Sequence, residues 1–296
     1  ELAAEMKKID LRSPAYIGRL ARWTRSHSTI VEGLYTSPLH PAAQDHAAAV
    51  IGEIAAKYPI DGIHLDYVRF PNEDFDYSPS ALDQFKKAIA AVLTDKEKRE
   101  AAAREILDPA AYPNLFPERW NDFRRSRLTM MVAKIRAAVT TARPGALVSA
   151  AVVPDAQTAF ASRMQDWRGW LAQSLLDVIC PMAYTTEPDT FQKQIAAAVA
   201  YAGSRAVWAG IGAYQMPAAQ TLTHIAAANK LGAAGIILFS YEAMAAPPNS
   251  VGSMAAHSSV KRAATVCGSS SRASTGRMIV SRANPQAWPV LSVVLR

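Results

Sequence analysis

The residue with the clearest chemical potential in this sequence is Asp66, a carboxylate that directly follows a short apolar run. Residues 62–65 read GIHL, and Asp66 is followed at once by Tyr67 and then by Arg69. Burial raises the pKa of a carboxyl group and a nearby cation lowers it, so a carboxylate in this position can be tuned as a general acid or base. We therefore predict a catalytic role for Asp66. The competing interpretation is a carboxylate that caps the next turn or pairs with Arg69.

Other polar and ionisable groups stand in the same position, immediately after apolar runs. They are Asp155 after Pro154, Tyr184 to Glu187 after the run at 177–182, Tyr214 after 206–213, and Tyr241 with Glu242 after 235–240. The elements that must position these groups are the apolar runs themselves. Because several runs end alike, the polar side chains are predicted to meet at one edge of a sheet.

The apolar runs read as strands that are covered on both faces. The candidates are residues 62–66, 147–153, 177–182, 206–213 and 235–241, with 32–36 as a weaker sixth. Each is continuously apolar, with no alternation of apolar and polar residues, which is typical of buried parallel strands.

Helical patterns lie between these strands. They cover residues 41–57, 120–143, 165–176, 190–202 and 218–231. Beyond residue 147 the period is roughly 30 residues, the length of one strand–helix unit. This alternation predicts a parallel α/β fold, with a (β/α)-barrel favoured and a doubly wound sheet as the alternative. A doubly wound sheet often carries a glycine-rich phosphate loop, and neither GxGxxG nor GxxxxGK occurs here.

Length and composition are those of a globular chain with a sizeable core. The chain has 296 residues, of which 50% are hydrophobic and 19% are charged, and it has no apolar run long enough to span a membrane. The net charge of +7 comes mainly from six basic residues beyond Glu242. Without those six, 26 basic residues face 25 acidic ones.

Two segments depart from the strand–helix alternation. Residues 72–117 form an insertion rich in aromatic residues and prolines, which is predicted either to roof a site or to pack as a decoration. Residues 246–296 are basic and rich in Ser, Ala and Arg, and we expect little order there, although apolar runs at 279–280 and 290–295 could dock. The barrel domain is accordingly predicted to span residues 1–245.

Five sequence blocks together resemble the family-10-like glycosyl hydrolases, which are bacterial TIM-barrel proteins. The blocks read DGIHLDYVRFP, LVSAAVVPDAQTA, QDWRGWL, LLDVICPMAYT and IILFSYE, and they occur in order. The resemblance covers about residues 1–245. It implies a (β/α)8 TIM barrel that acts on, or at least binds, a poly- or oligosaccharide, and a protein that is exported, either periplasmic, at the cell surface or lipid-anchored.

The chain departs from this family pattern at two places. Many relatives carry a second aspartate directly after the first, where this chain has Tyr67, so a mechanism with two neighbouring aspartates does not apply. The family pattern also places about three more strands ahead of residue 62, where this chain offers only residues 32–36. The sequence is therefore expected to lack the first strands of its barrel.

The resemblance implies glycoside hydrolysis, which generally needs two carboxylates on opposite sides of the sugar. Asp66 supplies the first. Glu242 is the preferred second carboxylate because it directly follows the last predicted strand. Asp155 and Glu187 are the alternatives, although each neighbours a proline and suits a turn or a solvent-exposed loop.

The same resemblance predicts substrate-binding roles for the remaining groups at the strand ends. Arg69 could hold a sugar hydroxyl or an acidic substituent, or instead pair with the insertion. The aromatic faces of Tyr67, Tyr184, Tyr214 and Tyr241 could stack on sugar rings, although each alone is more often a packing residue. His64 lies two residues before Asp66 on the same side of the strand. It either orients Asp66 or is a hydrogen-bonded core histidine.

Three functional hypotheses follow from these residues. The first is a glycoside hydrolase that uses Asp66 and Glu242, the second is a glycan-binding barrel without catalysis, and the third and weakest is nucleic-acid binding through the basic tail, which is not expected. Two cysteines, Cys180 and Cys267, and scattered histidines give no metal-binding spacing. We predict no cofactor, no metal and no protein partner.

Overall fold

The computed structural model describes residues 36–73, 75–239, 278–280 and 291–294. Its centre is a single seven-stranded sheet in which every strand pair is parallel except one at the edge of the sheet. The strands are β1 (Gly62–Leu65), β2 (Leu147–Val152), β3 (Val178–Pro181), β4 (Ala206–Gly212), β5 (Gly235–Phe239), β6 (Met278–Val280) and β7 (Leu291–Val294). The first five confirm the five main strand predictions to within one or two residues at each end.

Strand order distinguishes the two predicted α/β architectures. The sheet runs β6-β5-β4-β3-β2-β1-β7, so β1 to β5 are neighbours in the order in which the chain makes them. All pairs among these five are parallel. A doubly wound sheet reverses its strand order at a switch point, whereas a barrel advances in one direction. The described fold is therefore an α/β sheet consistent with a partial TIM barrel.

Both edges of this sheet are extended by short strands from the C-terminal segment. β6 pairs in parallel with β5, and β7 pairs in antiparallel with β1. β6 includes the apolar run at 279–280, and β7 lies within the run at 290–295, both of which the sequence singled out. The weaker strand predicted at 32–36 lies outside the described residues except for Thr36, which is not in a strand.

Helices connect the strands and cover one face of the sheet. They are α1 (Pro41–Lys57), α2 (Pro79–Ile89), α3 (Asp95–Glu105), α4 (Ala111–Leu115), α5 (Pro117–Ala142), α6 (Ala156–Ser162), α7 (Trp167–Ala172), α8 (Pro188–Ala202) and α9 (Ala218–Lys230). The five predicted helices correspond to α1, α5, α7, α8 and α9. None of the described helices is long and apolar enough to cross a membrane.

The strand register separates two faces of the sheet with different chemistry. Residues such as Ile63 and Val148 share the face that packs on the helices in the main hydrophobic core. The opposite face, here called the inner face, carries His64 and its register partner Ser149, and includes Cys180 on β3. Because side chains alternate along a strand, Asp66 continues the inner-face row of His64 beyond the end of β1.

The insertion between β1 and β2 folds into helices that pack against α5. The Phe85 ring of α2 meets the Trp120 ring edge-on, with centroids 5.0 Å apart, and Trp120 stacks on Phe123 at 5.8 Å. The buried Arg124 guanidinium donates to the backbone carbonyls of Glu73 and Phe75. These contacts place the described insertion beside α5, on the helix-covered side of the sheet.

One buried histidine in the helical layer lacks hydrogen bonds. The His224 side chain on α9 is 1% exposed and stacks on Phe191 with a centroid distance of 4.3 Å. Neither ring nitrogen has a hydrogen-bond partner among the described residues. Burial lowers the pKa of this imidazole, because its charged form would lose hydration without compensation.

Replacing His224→Phe is expected to stabilise the protein, and more so in acid. Phenylalanine keeps the ring stack and removes two unpaired polar atoms, a gain of about 1–2 kcal/mol in the free energy of unfolding. The folded-state pKa lies below the unfolded value of about 6.5. Wild-type stability is therefore lost as the pH falls below that value, because the unfolded state takes up the proton.

Urea unfolding of wild type and variant at about pH 8 and about pH 5 measures this difference. His46→Phe, at an exposed position of α1, is the matched control. It should leave the pH dependence of the free energy of unfolding unchanged. A His224→Phe variant with the same free energy of unfolding as wild type at both pH values would refute the account of an unsatisfied imidazole.

Candidate functional site

The carboxylate of Asp66 is fixed by a tight turn at the carboxyl end of β1. The backbone N–H of Tyr67 donates to Asp66 Oδ1 over 2.8 Å, and the N–H of Arg69 donates to the Tyr67 carbonyl over 2.7 Å. Tyr67 adopts a φ of 53°, in the left-handed region that few non-glycine residues occupy. A residue in such a conformation, next to a half-buried carboxylate, is typical of a functional site.

This turn is held to the end of β2 by a fully buried glutamine, Gln165. Its side-chain Nε2 donates to the carbonyls of Val68 and Ala151, each over 3.1 Å. Its Oε1 accepts from the N–H of Val153 over 2.9 Å. One side chain thus satisfies three backbone groups from two different strand ends. The loop that carries Asp66 is therefore fixed relative to the neighbouring strand.

Asp66 interacts electrostatically with three other side chains of the inner face, Tyr184, Cys180 and His64. Burial is the main cause that raises the pKa of the Tyr184 phenol, and the Asp66 carboxylate is the next. The same two causes raise the pKa of the buried Cys180 thiol. Burial lowers the pKa of His64, and Asp66 partly opposes this. The structure thus gathers side chains of β1, β3 and the loop after β3 around one carboxylate.

His64 is a hydrogen-bonded histidine of the inner face. Its Nδ1 lies 2.9 Å from Ser149 Oγ, and Cys180 Sγ lies 3.9 Å from the same nitrogen. Its side chain is 7% exposed, and the lowered pKa keeps the ring neutral near pH 7. This geometry supports the interpretation as a satisfied core histidine. Its electrostatic interaction with Asp66 leaves the predicted orienting role open.

Three aromatic rings from successive strand ends form a wall next to Asp66. The ring of Tyr184 stacks on Phe239 with centroids 5.3 Å apart, and Tyr214 meets Phe239 edge-on at 5.8 Å. Tyr184 packs closely on Gly212, where a Cβ atom would lie only 3.0 Å from the Cβ of Tyr184. The Tyr214 side chain is 43% exposed, so the wall reaches the surface. Exposed aromatic rings of this kind can stack on sugar rings.

Arg69 contributes the positive charge of this site. Its guanidinium carbon lies 4.6 Å from the centroid of the Tyr67 ring, a cation–π contact. The guanidinium also lowers the pKa of Tyr184, which opposes the effect of Asp66. Arg69 and Tyr67 therefore face the same region as the carboxylate.

The two alternative carboxylates are placed differently. Asp155 is exposed and caps α6, where Oδ1 accepts from the N–H of Thr158 over 2.7 Å. Hydrogen bonds from the side chain and then from the backbone of Thr158 lower the pKa of Asp155. Glu187 is exposed at the start of α8. Neither contributes to the pKa shifts around Asp66. Their predicted substrate contacts remain predictions, and Glu242 and Tyr241 lie outside the described residues.

Sequence reasoning missed three residues that build this site. Gln165 was read only as the start of a helix, although a buried side-chain amide commonly bonds backbone groups. Ser149 and Phe239 sit within apolar runs, and only the register shows which face they occupy. Among residues 36–73 and 75–239, no group of three or more His, Cys, Asp or Glu side chains could hold a metal ion.

Comparison with known proteins shows the family of this chain. A family model described as glycosyl hydrolase-like 10 matches residues 2–223, most of the sequence. The chain belongs to the glycosyl hydrolase-like 10 family. This confirms the resemblance carried by the five sequence blocks, and it relates the chain to glycoside hydrolases. No match was found among the curated proteins.

Substituting Gln165→Leu is expected to destabilise this glycosyl hydrolase-like protein by about 2–4 kcal/mol, because two carbonyls and one N–H lose their buried partner. Leucine fills a similar volume, so the loss reports the hydrogen bonds. Urea unfolding measures the change. Gln173→Leu, at an exposed position after α7, is the control and should change stability by less than about 0.5 kcal/mol. Equal effects of the two substitutions would contradict the bridging role.

Proposed function

We propose that this protein is a glycoside hydrolase that cleaves a poly- or oligosaccharide with Asp66 as one of two catalytic carboxylates. The observation that carries the proposal is the position of Asp66. Asp66 directly follows β1, and its side chain lies on the inner face, where it interacts electrostatically with Tyr184. The chain belongs to a glycosyl hydrolase-like family. Catalytic groups of parallel α/β barrels lie at this end of the strands.

The proposed scaffold is a (β/α)8 barrel. Its support is the unbroken parallel order from β1 to β5, the helices packed on one face, and the polar groups at the carboxyl ends of the strands. In a barrel the inner face points to the axis. Side chains from different strands then converge on one opening. In a flat sheet the same side chains would stay apart.

Each described side chain has a role that follows from its chemistry. Tyr184 stays protonated because its pKa is raised, so its O–H can donate to a substrate oxygen. The exposed ring of Tyr214 offers a stacking surface for a sugar. Arg69 can hold a hydroxyl or an acidic substituent by forked hydrogen bonds. Asp66 then acts as a general acid, a general base or a nucleophile at the anomeric carbon.

Glu242 is the proposed second carboxylate. It follows Phe239, the last residue of β5, by three positions, and the Phe239 ring stacks on Tyr184. A strand end next to Tyr184 is a suitable origin for a carboxylate across the sugar from Asp66. Asp155 is the weaker choice, because its carboxylate already caps α6.

Replacing Asp66→Asn should lower turnover by about 10²–10⁴-fold, because an amide can neither transfer the proton nor attack the sugar. Reducing-end release from a panel of polysaccharides measures the rate, and thermal unfolding checks that the variant is folded. Asp61→Asn is the matched control, since Asp61 flanks the other end of the same strand. Activity of Asp66→Asn equal to that of the control would rule out this assignment.

The second carboxylate is found by comparing Glu242→Gln, Asp155→Asn and Glu187→Gln in the same assay. We expect only Glu242→Gln to lose activity to a degree similar to Asp66→Asn. Asp155→Asn should lower stability slightly through its weaker cap and leave turnover nearly unchanged. Full activity of Glu242→Gln would exclude Glu242 and point to one of the other two residues.

A glycan-binding protein without catalysis is the second candidate. Tyr67 occupies the position where many relatives carry a second aspartate, and within the described residues Asp66 is the only carboxylate that shifts the pKa of Tyr184, His64 or Cys180. Binding of a polysaccharide by the wild type, with no released product over long incubation, would favour this candidate over the hydrolase.

A further inference from the structure

A second recess of the molecule lies on the helical layer, apart from Asp66. It is a groove of about 790 Å³ formed by α6, α7 and the end of α8. Neither Asp66 nor any of the aromatic residues beside it lines this groove. The charged, hydroxyl and aromatic side chains that line the groove are Phe160, Asp166, Trp167, Arg168, Tyr201, Ser204 and Arg205.

Arg168 is the distinctive group of this groove. Its guanidinium carbon lies 4.2 Å from the centroid of the Tyr201 ring, and this ring in turn meets Trp167 edge-on at 5.8 Å. The guanidinium thus lies over a ring that is itself in contact with a buried indole. Stacking leaves the N–H groups along the edge of the guanidinium directed away from the ring.

Within the described residues, no carboxylate forms an ion pair with Arg168. Asp166 also lines the groove, where its Oδ1 accepts from the N–H of Gly169 as the N-cap of α7. Arg205 in the same groove differs, since it donates to Ser174 Oγ over 2.7 Å and lies 3.6 Å from Asp177. Arg125 stacks on Phe160 at 4.0 Å but pairs with Asp122. Arg168 is therefore the guanidinium of this region that remains available to an external anion.

We propose that the groove is a second ligand site, which binds a carboxylate-bearing saccharide through Arg168. The guanidinium is planar, and its N–H groups match a carboxylate in a forked, two-bond geometry. The exposed rings of Phe160 and Tyr201 offer apolar contact to sugar rings, and Ser204 offers a hydroxyl. The preference for an anion stands on the groove itself, while the saccharide class rests on the proposed function.

The test uses trigalacturonate as the probe and the full chain carrying Asp66→Asn, so that hydrolysis does not interfere. Titration is followed by calorimetry and by the Nε1–H resonance of Trp167, assigned with Trp167→Phe. We expect this resonance to shift on binding. Arg168→Gln should weaken the binding that moves it by about 10-fold or more, because the forked ion pair is lost.

Two matched controls separate this site from nonspecific attraction. Arg127 stacks on Phe123 at 4.9 Å and lies on α5, outside the groove, so Arg127→Gln should leave the affinity unchanged. Fully methyl-esterified trigalacturonate has the same rings without charge and should bind about 10-fold more weakly.

Three results would overturn the proposal. The first is no shift of the Trp167 resonance, and the second is equal affinity of Arg168→Gln and Arg127→Gln for trigalacturonate. The third is inorganic sulfate that competes for the groove at the same concentration as trigalacturonate, which would indicate a general anion site. None of these results depends on catalysis.

The two proposals can also be told apart. If Asp66→Asn loses hydrolysis but still binds trigalacturonate in the groove, both sites are supported separately. If the wild type is inactive but binds trigalacturonate in the groove, only the hydrolase proposal is rejected.

Discussion

The candidate site depends on one buried side chain, Gln165, that joins two strand ends. A strand end leaves backbone groups without ladder partners, and burying them unpaired costs free energy. Gln165 satisfies the carbonyls of Val68 and Ala151 and the N–H of Val153 at once. The loop that begins at Asp66 is thereby fixed to β2, and the carboxylate keeps a defined position on the inner face.

The second constraint is the difference between the two faces of the sheet. One face packs on helices and is apolar, as in the core around Ile63 and Val148. The inner face admits polar groups because they bond to one another, as His64 does with Ser149. In this poorly solvated setting burial raises the pKa of the Tyr184 phenol, and the charge of Asp66 raises it further. A phenol that donates and a carboxylate that accepts can both form hydrogen bonds to a polar ligand.

The helical layer shows how recognition can be spread over a barrel-like protein. Its core-facing side chains stabilise the sheet, while its outer side chains remain available for a ligand. Arg168 and Tyr201 belong to the second class, since both are exposed and the Arg168 guanidinium lies over the Tyr201 ring. The insertion is different, because Trp120 and Arg124 tie it into α5. These contacts pack the described part of the insertion against α5.

The sequence by itself determined the five main strands, because continuous apolar runs between helical patterns have few other folded forms, and it placed Asp66 at a strand end. It could not show that Asp155 caps α6, because an aspartate suits both a helix N-cap and a catalytic role. Nor could it find Gln165 or Phe239, whose partners are set by which strands become neighbours. Only the tertiary structure decided those partners, since parallel pairing joins residues about 30 or more positions apart.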